Sequence, residues 1–209
     1  MKKEYILGIL FFSSLWGISE VVLGEFLYRI EMPHASVLLT IIGLGILTLA
    51  AGYMPQKGVA TAIAVFAMLY KFLNTPFFAC HILGILMLGI CYDLIFNTKK
   101  LKNKSVCAAL TVYASYTIFA LVITYVFRYH PWVQAGFAKI ISHIAVGGTL
   151  AAAGCAVIVP AAEMLGQKLL TKKTPVANPL NYFNRSRLSF VTAGMWLFAL
   201  SIFVMHFYG

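Results

Sequence analysis

Residues 5–28 read YILGILFFSSLWGISEVVLGEFLY, an apolar and small-residue run whose only carboxylates are Glu20 and Glu25. As a helix rising 1.5 Å per residue the run extends about 36 Å, enough to cross a hydrocarbon core about 30 Å thick. Lys2 and Lys3 precede it, as the basic region of a signal peptide would. The run is nevertheless too long for a signal-peptide apolar core, carries Glu20 and lacks a small-x-small cleavage pattern. We read it as a retained membrane helix, and the rest of the chain follows the same pattern.

Six further apolar segments stand out, at residues 36–53, 58–74, 78–96, 106–128, 137–163 and 188–208, separated by polar or proline-containing breaks. Composition agrees: the 209 residues are 61% hydrophobic and 11% charged, with a mean hydropathy of +0.88. A soluble domain is about 45–50% apolar and about 25% charged, so a water-soluble globule is excluded. An aromatic share of 14% excludes a disordered chain. The expectation is an all-α integral membrane protein, a single transmembrane domain over residues 1–209 with about seven helices. The segment at 58–74, after Met54-Pro55-Gln56-Lys57, is the shortest and need not span fully.

The net charge of +10 is a topology signal in such a chain. If seven segments alternate, Lys2, Lys3, Lys57, Lys99, Lys100, Lys102, Lys104, Lys168, Lys172, Lys173, Arg185 and Arg187 fall on one side, twelve of the sixteen Lys and Arg. The opposite connections hold Arg29 and Arg128. The positive-inside bias then puts the N-terminus in the cytoplasm and the C-terminus outside, in an inner (plasma) membrane. The basic rim lies beside anionic lipid headgroups, so no nucleic-acid partner is needed to explain it. Cys80, Cys91, Cys107 and Cys155 form no CxxC pair and read as small buried hydrophobes.

Ionisable groups inside a span cost about 2.5–3.5 kcal/mol each on insertion scales and usually face a cavity or a partner. Here they are Glu20, Glu25, Lys71, His81, Asp93, Lys139, His143 and Glu163. Glu20 lies nine residues before Arg29, roughly 13 Å below the outer edge, and His143 falls at a similar level. Gly17, Glu20 and Gly24 share one helix face; Lys139 and His143 continue into Gly147, Ala151 and Gly154; His81 leads to Gly84 and Gly89. Such small-residue stripes mark helix contacts. The candidate substrate-binding set is therefore Glu20, Lys71, Asn74, His81, Lys139 and His143, lining a pocket of a few hundred Å3 that opens outward. Each has a structural alternative. Lys71 and Lys139 are close enough to an interface to snorkel, and either histidine alone suits an interhelical hydrogen bond. Asp93 and Glu163 are expected to reach the Lys99–Lys104 connection or Lys168, and Glu25 to pair with Arg29 four residues on. Phe77, Phe78 and the Tyr129-His130-Pro131-Trp132 stretch suggest an interfacial aromatic belt. Pro160 suggests a kink.

The segment from Gly58 to Phe96, with Lys71, Pro76, His81, Gly84, Gly89 and Asp93, resembles the substrate-binding S components of energy-coupling factor transporters, as do the chain length and the glycine-rich helices. The expected function is a membrane transport protein, or the membrane-embedded substrate-binding subunit of one, that takes up a small polar solute from the outer side through a pocket between helices; the resemblance implies the subunit, drawing energy from partner subunits. Those subunits usually have six helices and a small-xxx-small motif on the first, for which Ser13-x-x-x-Gly17 is the counterpart. No cofactor is expected; the expected partners are the bilayer, the solute, energising subunits and, through charged small-residue faces, a second copy of the chain. The alternatives are intramembrane metal binding through Cys80, His81, His143 and Glu20, an intramembrane enzyme using a His/Glu pair, and an accessory subunit whose buried charges only fix helix register.

Overall fold

The computed structural model describes residues 3–73, 79–98, 101, 103–171 and 185–208. Among them the chain forms seven helical rods: α1 (residues 3–29), α2 (Ala35–Tyr53), α3 (Val59–Leu73), α4 (Ala79–Phe96), α5 (Lys104–Val126), α6 (residues 130–171) and α7 (Arg185–Tyr208). Four stretches, Tyr5–Arg29, Ala35–Tyr53, Lys104–Val126 and His130–Lys168, are long and apolar enough to cross a membrane. Val59–Leu73, Cys80–Phe96 and Leu188–Ser201 are shorter apolar helices. The seven rods begin and end within a few residues of the breaks read from hydropathy, except that α6 starts seven residues earlier and ends eight later.

α3 is the short rod. Eleven α-helical residues are followed by a 3-10 turn, Tyr70–Leu73, and together they extend only about 25 Å. Its first turn is closed from another helix: the Asp93 carboxylate on α4 accepts from Thr61 N at 2.7 Å and from Thr61 Oγ1 at 2.6 Å. Asp93 thus caps the first turn of α3; Lys99, Lys100 and Lys102, toward which its place in the sequence pointed, lie outside the described residues. Glu163, by contrast, lies 3.5 Å from Lys104 as its position suggests, and Glu25 pairs with Arg29 at 2.6 Å.

Six rods close a ring in the order α1, α3, α4, α5, α6, α2 and back to α1, with α2 and α4 also touching across its middle. α7 packs outside, against α1 and the 3-10 end of α3, where Trp196 meets Tyr70 with ring centroids 4.5 Å apart. Lipid tails are as apolar as leucine, so close packing rather than hydrophobic transfer holds such helices together. Glycines decide where rods approach. A Cβ at Gly17 would collide with the Tyr70 ring, at Gly89 with Ala64 and the Ala60 carbonyl, and at Gly154 with Ile41. The stripes read from sequence on α1, α4 and α6 are therefore contact faces.

Two ends of the ring differ. The ends of α2, α4 and α6 and the starts of α3 and α5 converge around one hollow, next to the basic connections. The end of α1, the starts of α2 and α4 and the upper parts of α5 and α6 surround another. We call these the basic and the opposite end. α6 is broken at Gly136, whose φ of 61° and ψ of −155° suit glycine alone. The break, one residue before the predicted start of the sixth segment, lets residues 130–135 fold against the ring. Trp132 is consequently buried against Ala120, Ile123 and Ile140, which corrects its reading as an interfacial belt residue. Helix Gly148–Thr171 passes through Pro160 without interruption. Phe77, Phe78 and the Lys172–Pro179 part of the long basic connection lie outside the described residues.

Candidate functional site

Three rods leave regular α geometry in the half nearer the opposite end, each through a five-residue π turn: Ser19–Leu23 in α1, Val122–Val126 in α5 and His143–Gly147 in α6. A π turn widens the helix and redirects backbone carbonyls, and such turns recur at functional sites. Glu20 and His143 both belong to one.

At the first, Gly24 N–H donates to Val21 O; an uninterrupted α-helix would direct it to the carbonyl of Glu20. Lys71 Nζ donates to that Glu20 carbonyl at 2.7 Å and lies 3.2 Å from Glu20 Oε2. Trp16 Nε1 donates to Glu20 Oε1 at 3.3 Å. Gly24 borders the pair: a Cβ there would stand 3.4 Å from the ammonium, at van der Waals distance. Both partners are buried, Glu20 at 6% and Lys71 at 4% exposure. Lys71 does not snorkel; it neutralises Glu20.

A cavity of about 120 Å3 opens beside this pair, between α1, α2, α4, α5 and α6. Its polar wall is made by Tyr28, Ser36, Thr40, Cys80, His81, Ser115, Tyr116 and His143, with one edge of Glu20; Leu39, Gly84, Ile85, Leu88 and Phe119 complete it. Tyr28 Oη and His81 Nε2 are 3.0 Å apart, and Thr40 Oγ1 and Tyr116 Oη 3.1 Å. The His143 ring stacks on Tyr116, with centroids 4.6 Å apart and planes 14° from parallel. Phe119 and Trp132 approach the same imidazole at 5.3 Å and 5.1 Å. Gly147 and Gly148 leave the space that the Tyr116 ring occupies. Gly84 has nothing within 4 Å of where its Cβ would stand, so its missing side chain is part of the void.

Of the six residues singled out from sequence, Glu20, His81 and His143 line this cavity together. Lys71 sits behind Glu20 and is not in the wall. Lys139 is exposed, with its ammonium 5.9 Å from the Trp132 ring centroid. Asn74 lies outside the described residues. Tyr28, Thr40, Ser115 and Tyr116 are the wall residues sequence reading passed over, since a hydroxyl within an apolar run carries no sign of which way it faces. The volume is below the few hundred Å3 predicted. It is close to that of an apolar cavity of about 150 Å3, which holds one benzene ring. Among the described residues no three His, Cys, Asp or Glu side chains converge to hold a metal ion.

Comparison with family models, with characterised proteins and with solved structures gives no match to this chain.

Proposed function

We propose that the chain is a multi-pass plasma-membrane protein that binds a small uncharged solute, about the size of a single ring, in the cavity between α1, α2, α4, α5 and α6. The observation that carries this reading is the chemistry of the wall. Its carboxylate is already neutralised by Lys71, so what it offers are hydroxyls, two imidazoles and the face of an aromatic stack. An unpaired charge on the solute would find no opposite charge there. A neutral hydrogen-bonding solute finds donors and acceptors there.

Orientation follows from the positive-inside bias. The basic end, with Lys57, Lys104 and Lys168, faces the cytoplasm, and the cavity opens to the outer side. The six-helix ring with α7 outside it accommodates the resemblance to S components, whose six helices would correspond to the ring. On that reading energising subunits are the partners.

Thermal unfolding of the purified protein in detergent against a panel of polyols, amides, nucleobases, heterocyclic vitamins and divalent metals tests the reading. A true ligand at about 100 times its Kd stabilises by about 2.7 kcal/mol. Gly84→Leu, whose Cβ meets nothing within 4 Å and whose side chain would occupy the void, is expected to fold and to lose the response. Absence of any response in the unaltered protein, or an equal response in Gly84→Leu, refutes solute binding at this cavity.

A further inference from the structure

The ring contains a second hollow of about 400 Å3 at its basic end, and the two hollows share their walls. On α4, His81, Ile85 and Leu88 face the first and Tyr92 and Phe96 the second, at steps of three and four residues on one face. On α2, Thr40 belongs to the first and Leu47 to the second. Leu88 and Tyr92 are one turn apart, about 6 Å, and Thr40 and Leu47 about 10 Å. Those distances, not the bilayer thickness of about 30 Å, separate the hollows.

The layer between them is dry. Leu44, Val112, Ala151 and Cys155 are each at 0% exposure, from α2, α5 and α6. The Thr111 hydroxyl at this level is turned to its own helix, donating at 2.8 Å to the Cys107 carbonyl, while Thr48, which donates likewise to the Leu44 carbonyl, stands in the wall of the second hollow. The layer therefore presents nothing to replace the hydration of a polar solute. On α6, Gly147, Ala151, Cys155 and Val159 run at four-residue steps from the level of His143 to that of Glu163, a track of small side chains along the inside of the ring. At the far end, Asn97, Lys104, Glu163 and Gln167 give the second hollow a hydrated, polar rim.

We propose that the ring is itself the solute's route: the two hollows are its outer and cytoplasmic vestibules, and the packed layer at Leu44, Leu88 and Val112 is the gate between them. This rests on the solute-binding reading above and extends it from a binding subunit to a carrier that holds its own path. The solute class is unchanged: in the second hollow Glu163 lies 3.5 Å from Lys104, and the Asp93 carboxylate is engaged by Thr61 N and Oγ1 at 2.7 and 2.6 Å.

Reactivity of engineered thiols in proteoliposomes tests it. In a background with Cys80, Cys91, Cys107 and Cys155 replaced by alanine, Gly84→Cys places a thiol in the first hollow and Ala51→Cys one in the second. A membrane-impermeant methanethiosulfonate is expected to modify each from one face only, and from opposite faces. Adding Leu44→Ala with Leu88→Ala removes packing from the closed layer, enough to shift a closed–open equilibrium more than about tenfold. Each thiol should then react from the far face at least about tenfold faster. If the pair fails to fold, judged by elution and helical circular dichroism, Leu88→Ala alone is read for the same far-side gain. Volume-conserving Leu44→Met with Leu88→Met should stay one-sided. A folded truncation variant whose thiols remain one-sided overturns the route, while the solute-binding reading is judged separately by thermal stabilisation of the protein with Leu44 and Leu88 unaltered. A Gly84→Cys thiol unreactive from both faces overturns the route and the outward-opening cavity together.

Discussion

Replacing Lys71 by methionine should be the most damaging single polar change in the described part of the ring. Methionine keeps the volume and the linear shape of lysine, so what is lost is the ammonium. The change strips Glu20 of the 3.2 Å ion pair and its backbone carbonyl of the 2.7 Å donor, and leaves the carboxylate the Trp16 Nε1 donor at 3.3 Å. Removing one partner of a buried pair costs about 3–5 kcal/mol. For a chain of about this length each kcal/mol shifts the midpoint by about 2–4 °C, so the melting temperature should fall by roughly 10 °C. Glu20→Gln should cost less, about 1–2 kcal/mol, because glutamine retains an oxygen for Trp16 and the residue-20 carbonyl still accepts from Lys71. The two changes combined should cost less than their sum, since no carboxylate is stranded, with a coupling of about 2–3 kcal/mol. The assay is a double-mutant cycle of thermal unfolding in detergent. Additivity within about 0.5 kcal/mol, or a Lys71→Met cost under about 1 kcal/mol, the range of exposed pairs, would refute the claim that these groups form one buried unit.

Other expectations follow from single sites. Gly136→Ala forces a Cβ into a backbone region that only glycine occupies and should cost about 1–3 kcal/mol, read as a lowered melting temperature. Asp93→Ala removes the acceptor of both Thr61 bonds and should cost about 0.5–2 kcal/mol, whereas Asp93→Asn, which keeps an oxygen, should cost less. Gly17→Ala drives a methyl into the buried Tyr70 ring, with an expected loss of about 1–3 kcal/mol. Lys104→Met, at a half-exposed pair with Glu163, should change stability by under about 1 kcal/mol.

The rods were legible because hydropathy averages over a whole segment, and the chain is so apolar that polar breaks stand out. The small-residue faces were legible too, since a glycine repeated at helical spacing has few other uses in lipid. Pairing was not. Glu20 and Lys71 each stood out as a buried ionisable group, but they lie 51 residues apart, and no periodicity says that one will neutralise the other. Asp93 looked interfacial because a cap on another helix uses the same residue, at the same depth, as a headgroup contact does. Trp132 misled for a related reason: aromatic residues next to proline suggest an interface, and only the turn at Gly136 carries this one inward. The hollow at the basic end left no sign at all, because its Gln56, Asn97 and Gln167 are the residues that any helix end would carry.

The π turns have a mechanical meaning beyond the carbonyl each one frees. Each stores one residue more than a regular ladder needs, and annealing it into α-helix would rotate everything beyond it by roughly 100° and shift it about 1.5 Å along the axis. In α1 the part beyond Ser19–Leu23 carries Tyr28, whose hydroxyl sits on His81. Relaxing that turn would swing the phenol off the imidazole and unlatch the mouth of the ring. Three rods around one chamber thus hold a reserve of screw motion that costs no loop and no hinge, and a deletion that removes one residue from any of these turns would spend it.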